Sequence, residues 1–595
     1  MTRRREAIAL LSALASACTI SGPPAPVIEA ISPAETHANT ATDVSVRGRG
    51  FAPEIQADLE DPESSTPRAA FALTLLLADE RIPLENVAFV SEHELSARVP
   101  PLATPAVYDL ELVDPRGRVA MLPAAFTVDP GSGCGPDGTP CDDGNVCTQG
   151  DTCQGGTCVP GFPVCVNTAP RACLSVSPVA VAVGEAVTFD PSCSTDGEDP
   201  TSALRARVDF GDGVSEASFA PAVSPRQHAY ATPGLWVANV EVVDRGGISD
   251  FASRYVLVTA PGDLVLVTTA LDEADPGATP DAPGGTGLSL REAIAYVNAL
   301  GAPRTIRVAV AGPIVHATAL PALAVAASAI VGDPAGQLAF PGVALPCLTL
   351  GGPDQLLLDA VVTGCSDTAV MLGTASAGAR VAECTITPSP GAHGITAQAS
   401  GAIGPRDQVS GAGTGVMLTG SPGSAFVVEE NRIQENDVGI FAVGGAQLTI
   451  RRNRVTSNRT FGLQTTPSGG SATLLHNVFD ANGRDGVDLG TFLGGVVVRN
   501  NLFTRNGGFG LQGSGTTVDH NGFFGNGLGP MSSGSGGPTD LLGDPLYGGD
   551  HRLSPGSPAI DRGIDTGLDV NGPAAGNFFG AAPDLGAWEA PYPAP

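Results

Sequence analysis

The sequence predicts an all-β chain of several domains: immunoglobulin-like sandwiches followed by a right-handed parallel β-helix, a solenoid. Three observations predict it. Glycine (77) and proline (51) are abundant among 595 residues while aromatics are only 5%, a composition suited to short strands joined by tight turns. The N-terminal part alternates apolar and polar residues between Gly/Pro turns, as at Tyr108, Leu110 and Leu112. The C-terminal half repeats an N-x4-N pair every 20–24 residues, a period of one solenoid turn per repeat.

A chain of 595 residues is too long for one core; about three to five domains are expected. The net charge of −30 is the wrong sign for a nucleic-acid binder and gives solubility and some capacity for divalent cations. Every basic residue is arginine. Schiff-base, P-loop and kinase-type lysines are thereby excluded, and no nucleotide chemistry is expected.

Residues 1–17 read as an export signal: Arg3, Arg4 and Arg5, then an apolar stretch too short to cross a bilayer. The run LASAC resembles the lipobox of bacterial lipoproteins, with Cys18 as the acylated residue; Leu14 stands one place earlier than the usual leucine, and Ala15 fills that position. Simple cleavage after Ala17 is the alternative. No other stretch reaches about 18 uninterrupted apolar residues, so the membrane is expected to be met only through a lipid anchor. The expected location is the outer membrane or cell surface, alternatively the medium.

Residues 26–128 open with PVIEAISPAE, continue VSVRGRGF at 44–51 and end on YDLELV and AAFTV. This pattern resembles the IPT/TIG immunoglobulin-like domain, which implies a spacer or adhesion unit. Segment 134–165 holds Cys134, Cys141, Cys147, Cys153, Cys158 and Cys165 and almost no large apolar residue. It must be stapled by disulfides, in an oxidising compartment, and about fifteen pairings stay open. Asp142, Asp143, Asn145 and Asp151 are the candidates for Ca²⁺ through oxygen, the one cofactor considered; solvated acidic turns are the preferred reading. The segment resembles small Cys-rich repeats of secreted bacterial proteins.

Residues 170–259 carry VGEAVTFDPSCS, VDFGDG and HAYATPGLWVANVEVVD. These resemble the PKD domain, whose D-x-G-D-G turn matches Asp209, Gly211, Asp212 and Gly213, and whose H-x-Y matches His228 and Tyr230. The reading of each is structural: the aspartates accept backbone N–H groups in the turn, and Tyr230 and Trp236 pack the sandwich. Cys173 and Cys193 are expected to pair within it.

The β-helix is placed at 262–545, with a capping helix at 289–299 and a closing segment at 546–590. Ser289 and Glu292 form a capping box, and Leu290, Ile294 and Val297 share one helix face, a plug for the open end of the stack. The N-x4-N pairs are Asn431/Asn436, Asn453/Asn458, Asn477/Asn482, Asn501/Asn506 and Asn521/Asn526. Asparagine tolerates the left-handed conformation of coil turns and can hydrogen-bond to its neighbour one coil away, so Asn431, Asn453, Asn477, Asn501 and Asn521 are expected to form a ladder. Between them Ile433, Val455, Val478, Leu502 and Phe523/Phe524 are expected inside. About ten coils at about 4.8 Å each give a rod of roughly 50 Å. Cys347, Cys365 and Cys384 lie about one coil apart and read as a buried stack rather than a metal site. The S-L-R-E-A-I start and the GSPAID and DLGAWE runs of the tail resemble exported bacterial β-helix proteins; the tail is expected to cover the last coil with Trp588 buried.

Polysaccharide-cleaving β-helices need a compact acid/base or Ca²⁺ constellation on one face. The polygalacturonase signatures are missing, as His393-Gly394 lacks its leading glycine and R-I-K is absent. The remaining polar candidates are Asp480, Arg484, Asp485, Asp488, Arg499, Arg505, Asp519 and His520, a groove for carbohydrate or, in the preferred reading, a solvated face. The expected function is therefore a surface-displayed binding, adhesion or structural rod contacting an extracellular polysaccharide or surface protein. The alternative is a polysaccharide lyase or glycoside hydrolase acting on an acidic glycan.

Overall fold

The computed structural model describes residues 25–592 outside the segments 38–40, 57–65, 69–70, 78–79, 103, 105, 130–137, 139, 142–147, 155–156, 160, 164–166, 311, 333–335, 467–469, 491–494, 514–516, 535 and 569–577. The signal, Cys18, Cys134, Cys147, Cys165, Asp142, Asp143 and Asn145 lie outside the described residues. Contacts divide the chain into two units, Met1–Cys165 and Val166–Pro595.

The first unit is a sandwich. One sheet runs Val27–Ser32, Thr42–Arg49, Glu94–Val99, Glu85–Ser91; the other runs Glu35–His37, Val119–Asp129, Ala106–Val113, Ala72–Leu77, Glu80–Pro83. Alternate residues Tyr108, Leu110 and Leu112 face a core with Val46, Leu95 and Phe126, all fully buried, as the period of two requires. The Tyr108 hydroxyl satisfies itself on the carbonyl of Thr104 at 2.7 Å. In the Cys-rich segment Cys141 is joined to Cys158, and Cys153 is also disulfide-bonded.

The second unit begins with another sandwich, of three and five strands, closed by the Cys173–Cys193 disulfide. Its acidic turn is built as the sequence implies: Asp209 accepts the N–H of Gly211 and Asp212 that of Val214. Asp212 also holds His228 at 2.7 Å, and the Tyr230 hydroxyl donates to the carbonyl of Phe210.

Three parallel sheets then wind into a β-helix. The first has eleven strands, from Leu264–Val267 to Thr517–Asp519; the second has ten, from Gly312–Val315 to Gly522–Phe524; the third has nine, from Leu348–Leu350 to Gly529–Met531. The helix Leu290–Leu300 starts on the Ser289/Glu292 capping box and buries Leu290, Ala293, Ile294 and Val297 in the rod's core. The plug thus hides an apolar end that water would otherwise meet.

The interior column is Ile433, Val455, Phe479, Phe503, Phe523, each in register with the next. The three phenylalanine rings stack with centroids 5.4 and 5.1 Å apart. This corrects the expectation for Val478, Leu502 and Phe524. Val478 and Leu502 belong to the outward column of Arg432 and Arg454, and Phe524 is 37% exposed. The inward residue lies two places after each leading asparagine in every coil, and side chains alternate along a strand.

Two asparagine ladders run through the core. In the first, Asn453 Nδ2 donates to Asn477, Asn477 to Asn501 and Asn501 to Asn521, at 2.9–3.0 Å. In the second, Asn436, Asn458, Asn482, Asn506 and Asn526 are chained in the same way at 2.8–3.1 Å. The left-handed conformation belongs to the residue before the asparagine, another correction: Glu430, Arg452, His476, Asn500 and His520 have φ of 54–57°. Each left-handed L-residue costs about 1–2 kcal/mol. The buried amide that follows offsets it by tying adjacent coils together. Among the three cysteines, Cys347 and Cys365 form a disulfide while Cys384 is a buried free thiol.

The closing segment does more than cap the last coil. Leu541 adds a parallel bridge to Gly522, and Asp540 accepts the N–H of Asn521. The chain then folds back along the second sheet, packing Leu553, Ile560, Leu585 and Ala587 on the outward Val478 and Leu502. The DLGAWE carboxylates are structural: Asp584 accepts the N–H groups of Asp561 and Ala590, and Glu589 those of Phe579 and Asp584. Trp588 is half-buried rather than enclosed.

Candidate functional site

The second sandwich docks on the flank of the rod. Val179 and Ala180 pack on Ala329, Val331, Leu358 and Ala382. Arg254 pairs with Asp359 at 3.0 Å, Arg406 donates to Ser253, and Glu383 accepts the N–H of Tyr255. Further along, Arg552 meets Asp250 at 2.8 Å, Arg171 meets Asp550 at 2.8 Å, and the Tyr592 hydroxyl accepts the N–H of Ala169. Between sandwich, outward face of the second sheet and closing segment lies a cleft of about 970 Å³.

Five arginines line it, alongside Asp196, Glu435, Asp480, Asp550 and Glu589. Arg432 and Arg454 stand directly opposite each other on adjacent strands, and Arg171, Arg505 and Arg552 complete the wall. Like charges so placed repel. Neither Arg432 nor Arg454 has a carboxylate ion-pair partner among the described residues; Arg454 donates only to the backbone carbonyl of Asp550, and Arg432 to Gln434. Burial and the charge of Arg432, joined by Arg552 and Arg171 and opposed by the Asp550 carboxylate, push the Arg454 guanidinium down to about 10. Arg454 and Arg552 lie over the ring of Trp588, at 5.2 and 4.7 Å.

At the floor sits Asp480, 4% exposed. Its carboxylate accepts Thr504 Oγ1 at 2.8 Å, Arg505 Nε and Nη2 at 2.9 and 2.7 Å, the Tyr547 hydroxyl at 3.0 Å and His551 Nε2 at 3.0 Å. Burial opposes the anion, yet His551, Arg505 and Thr504 outweigh it and hold the carboxyl well below the usual range. The Tyr547 hydroxyl is pushed up by burial and by Asp480, so it stays protonated.

Of the groove candidates, Arg505 is thus brought to Asp480, and the others are not. Arg499 and Asp519 pair at 2.9 Å on the first sheet, with His520 on Asp519 at 2.9 Å. Asp485 is buried in the turn toward the third sheet, accepting the N–H of Phe509, and burial raises its carboxyl. Arg484 lies over Phe461, and Asp488 accepts the N–H of Gly490. A spacing of one coil brings residues together only if they also share a position within the coil, and these fall on different faces. Of the Ca²⁺ candidates, Asp151 is described; its carboxylate accepts the N–H of Gly161.

Sequence reading missed Arg432, Arg454, Tyr547 and His551. Arg432 and Arg454 each follow a leading asparagine by one place, a signal that the repeat alignment contains. Nothing comparable marks Tyr547 and His551, which reach the site through the fold-back of the tail.

Two family models match, one described as a PKD domain over residues 167–258 and one as a right handed beta helix region over residues 368–524. The chain carries a PKD domain and a right-handed β-helix. The sandwich on the cleft is therefore the PKD domain, and the Asn-laddered coils are the β-helix. Among solved structures, the PKD domain of the human VPS10 domain-containing receptor SorCS2 is 30% identical over 16% of this chain and 80% of that one, with a TM-score of 0.14. A carbohydrate-binding-module protein of the beta-sandwich superfamily is 32% identical over 16% of this chain, at a TM-score of 0.15; the chain spans 36% of its length. Pectate lyase Pel9A is 11% identical over 55% of this chain and 96% of its own, with a TM-score of 0.34. A comparison with the curated proteins finds no match.

Proposed function

We propose that this is an exported surface protein that binds an acidic, uronate-bearing polysaccharide in the cleft between its PKD domain and β-helix. The observation that carries the reading is the Arg432–Arg454 pair, stacked on adjacent strands without a direct carboxylate ion pair among the described residues, in a chain of net charge −30. An arginine fork matches a carboxylate in two parallel hydrogen bonds, which relieves the repulsion between the two side chains. Trp588 and Tyr547 line the same cleft, their rings holding Arg454, Arg552 and Arg505 in place.

The Cys141–Cys158, Cys173–Cys193 and Cys347–Cys365 disulfides support an oxidising compartment. In this reading Cys18 carries the lipid and the IPT/TIG-like sandwich is a spacer. Binding of polygalacturonate, alginate, hyaluronate and neutral dextran to the full chain, followed by calorimetry, tests it. At least one uronate polymer is expected to bind and dextran not, with affinity falling as salt rises. Arg432→Ala with Arg454→Ala is expected to weaken binding by about 100-fold, two charge-assisted contacts of about 1.4 kcal/mol each. Equal binding to dextran, or no loss in the double variant, refutes the reading.

A further inference from the structure

Asp480 is surrounded more fully than closure of a coil requires. Asp480 lies on the outward column of the second sheet and collects donors from the next coil and from the closing segment. Its tight set of donors keeps it ionised, so the ring nitrogen facing it, His551 Nε2, is the protonated one. In the neutral form of the ring the lone pair is then on Nδ1, to which no described residue is hydrogen-bonded, on a ring that lines the cleft. A carboxylate that fixes the tautomer of an imidazole, with the second nitrogen left for a ligand, is the geometry of a general base and its positioning residue.

We propose that the Asp480–His551 dyad makes the cleft a polysaccharide lyase site acting on uronate chains, a step that rests on the binding reading above. The uronate carboxylate pairs with Arg432 and Arg454, which withdraws charge and acidifies the C–H on the adjacent ring carbon. His551 Nδ1 takes that proton. The C–H electron pair moves into the carboxylate as an enolate-type dianion, which the two guanidinium groups stabilise. It then returns to form the ring C=C bond as the C–O bond to the glycosidic oxygen at the β carbon breaks. The leaving oxygen takes a proton from water, and the imidazolium returns its proton to solvent. One chain becomes two, one bearing an unsaturated uronate end. Nothing is oxidised or reduced, and no water is consumed. Asp480 acts through His551 alone, so it is the positioning residue and His551 the catalytic one.

The experiment is incubation of the full chain with polygalacturonate, alginate and hyaluronate, reading the ultraviolet absorbance of the unsaturated product and confirming its mass. Whichever polymer binds is expected to give that product. His551→Gln is expected to lower kcat by about 100-fold or more with a smaller change in KM. Asp480→Asn should lower it similarly, and circular dichroism and melting establish that both variants are folded. Asp519→Asn, on the first sheet and outside the cleft, should leave turnover unchanged. Binding without any unsaturated product overturns the dyad and leaves the binding reading standing. Saturated, hydrolytic products, or full activity in folded His551→Gln, also overturn it. No binding of any uronate polymer overturns both.

Discussion

The upper end of the first asparagine ladder is an aspartate, and replacing it should stabilise the rod in a pH-dependent way. Asp407 stands one coil before Asn431, fully buried; it accepts the N–H of Cys384 at 2.8 Å, and its own N–H donates to Asn431 Oδ1 at 3.0 Å. Its second carboxylate oxygen has no hydrogen-bond partner. Burial, with Glu383 adding to it, pushes the carboxyl up to about 7. An unfolded aspartate titrates near 3.9, so between about 4 and about 7 the folded chain binds more protons than the unfolded one. Stability therefore falls as pH rises through that window. The cost of ionising Asp407 comes to about 0.5 kcal/mol at about pH 4 and about 4 kcal/mol at about pH 8. Asp407→Asn removes it and continues the ladder by one rung. The assay is urea unfolding in a Trp236→Phe background, where Trp588 is the remaining tryptophan and reports on the rod. The stabilisation by Asp407→Asn should grow by about 3.5 kcal/mol across that range. An equal effect at both pH values would mean that Asp407 does not titrate in this window, and the account of its burial would fail.

Two further perturbations address the coil core. Phe503→Ala removes the middle ring of the Phe479–Phe503–Phe523 stack and should cost about 3–5 kcal/mol by the same unfolding assay; a cost under about 1 kcal/mol would mean the stack is not packed as described. Asn477→Ala leaves the backbone N–H and Nδ2 of Asn453 without their acceptor and the carbonyl of Ile450 without its donor. It should cost about 3 kcal/mol or more, against about 1 for Asn526→Ala at the partly exposed end of its ladder, and hydrogen exchange of the flanking coil amides would show the difference.

The period, the capping helix and the asparagine ladder were legible because each is a local pattern repeated at fixed spacing. The face on which a residue points was legible too, if counted from the asparagine. Val478 and Leu502 follow it by one and Phe479 and Phe503 by two, and in a strand that one step decides inside from outside. Choosing the aliphatic residue over the aromatic one at those coils put the wrong column in the core. Most of the groove candidates lie apart for the related reason that Asp480 is on the second sheet, Asp485 in the turn toward the third, and Asp519 on the first sheet two coils further on. Of the site itself, Asp480 and Arg505 were legible and the rest was not. It needs Tyr547 and His551 to return over 67 and 71 residues to Asp480, and the PKD domain to settle on the rod; neither contact leaves a periodic trace.

Two neighbouring columns of the rod distinguish scaffold from site. At the left-handed turn positions Glu383, Arg406, Glu430 and Arg452 alternate in sign, and each is paired with the next along the axis. The PKD domain extends the same pattern by setting Arg254 between Asp359 and Glu383. In a solenoid, equivalent positions lie one strand spacing apart, about 4.8 Å, so alternation is the arrangement that stability favours. Two residues further on, the rungs that carry Glu430 and Arg452 carry Arg432 and Arg454 instead. The same strands thus follow the stabilising rule at one position and break it at the other. The break coincides with the opening left between PKD domain and closing segment, where a ligand's carboxylate can supply the missing charge. A stack of like charges at that opening destabilises the empty rod and favours the filled one, which is why the binding reading rests on the arginine column.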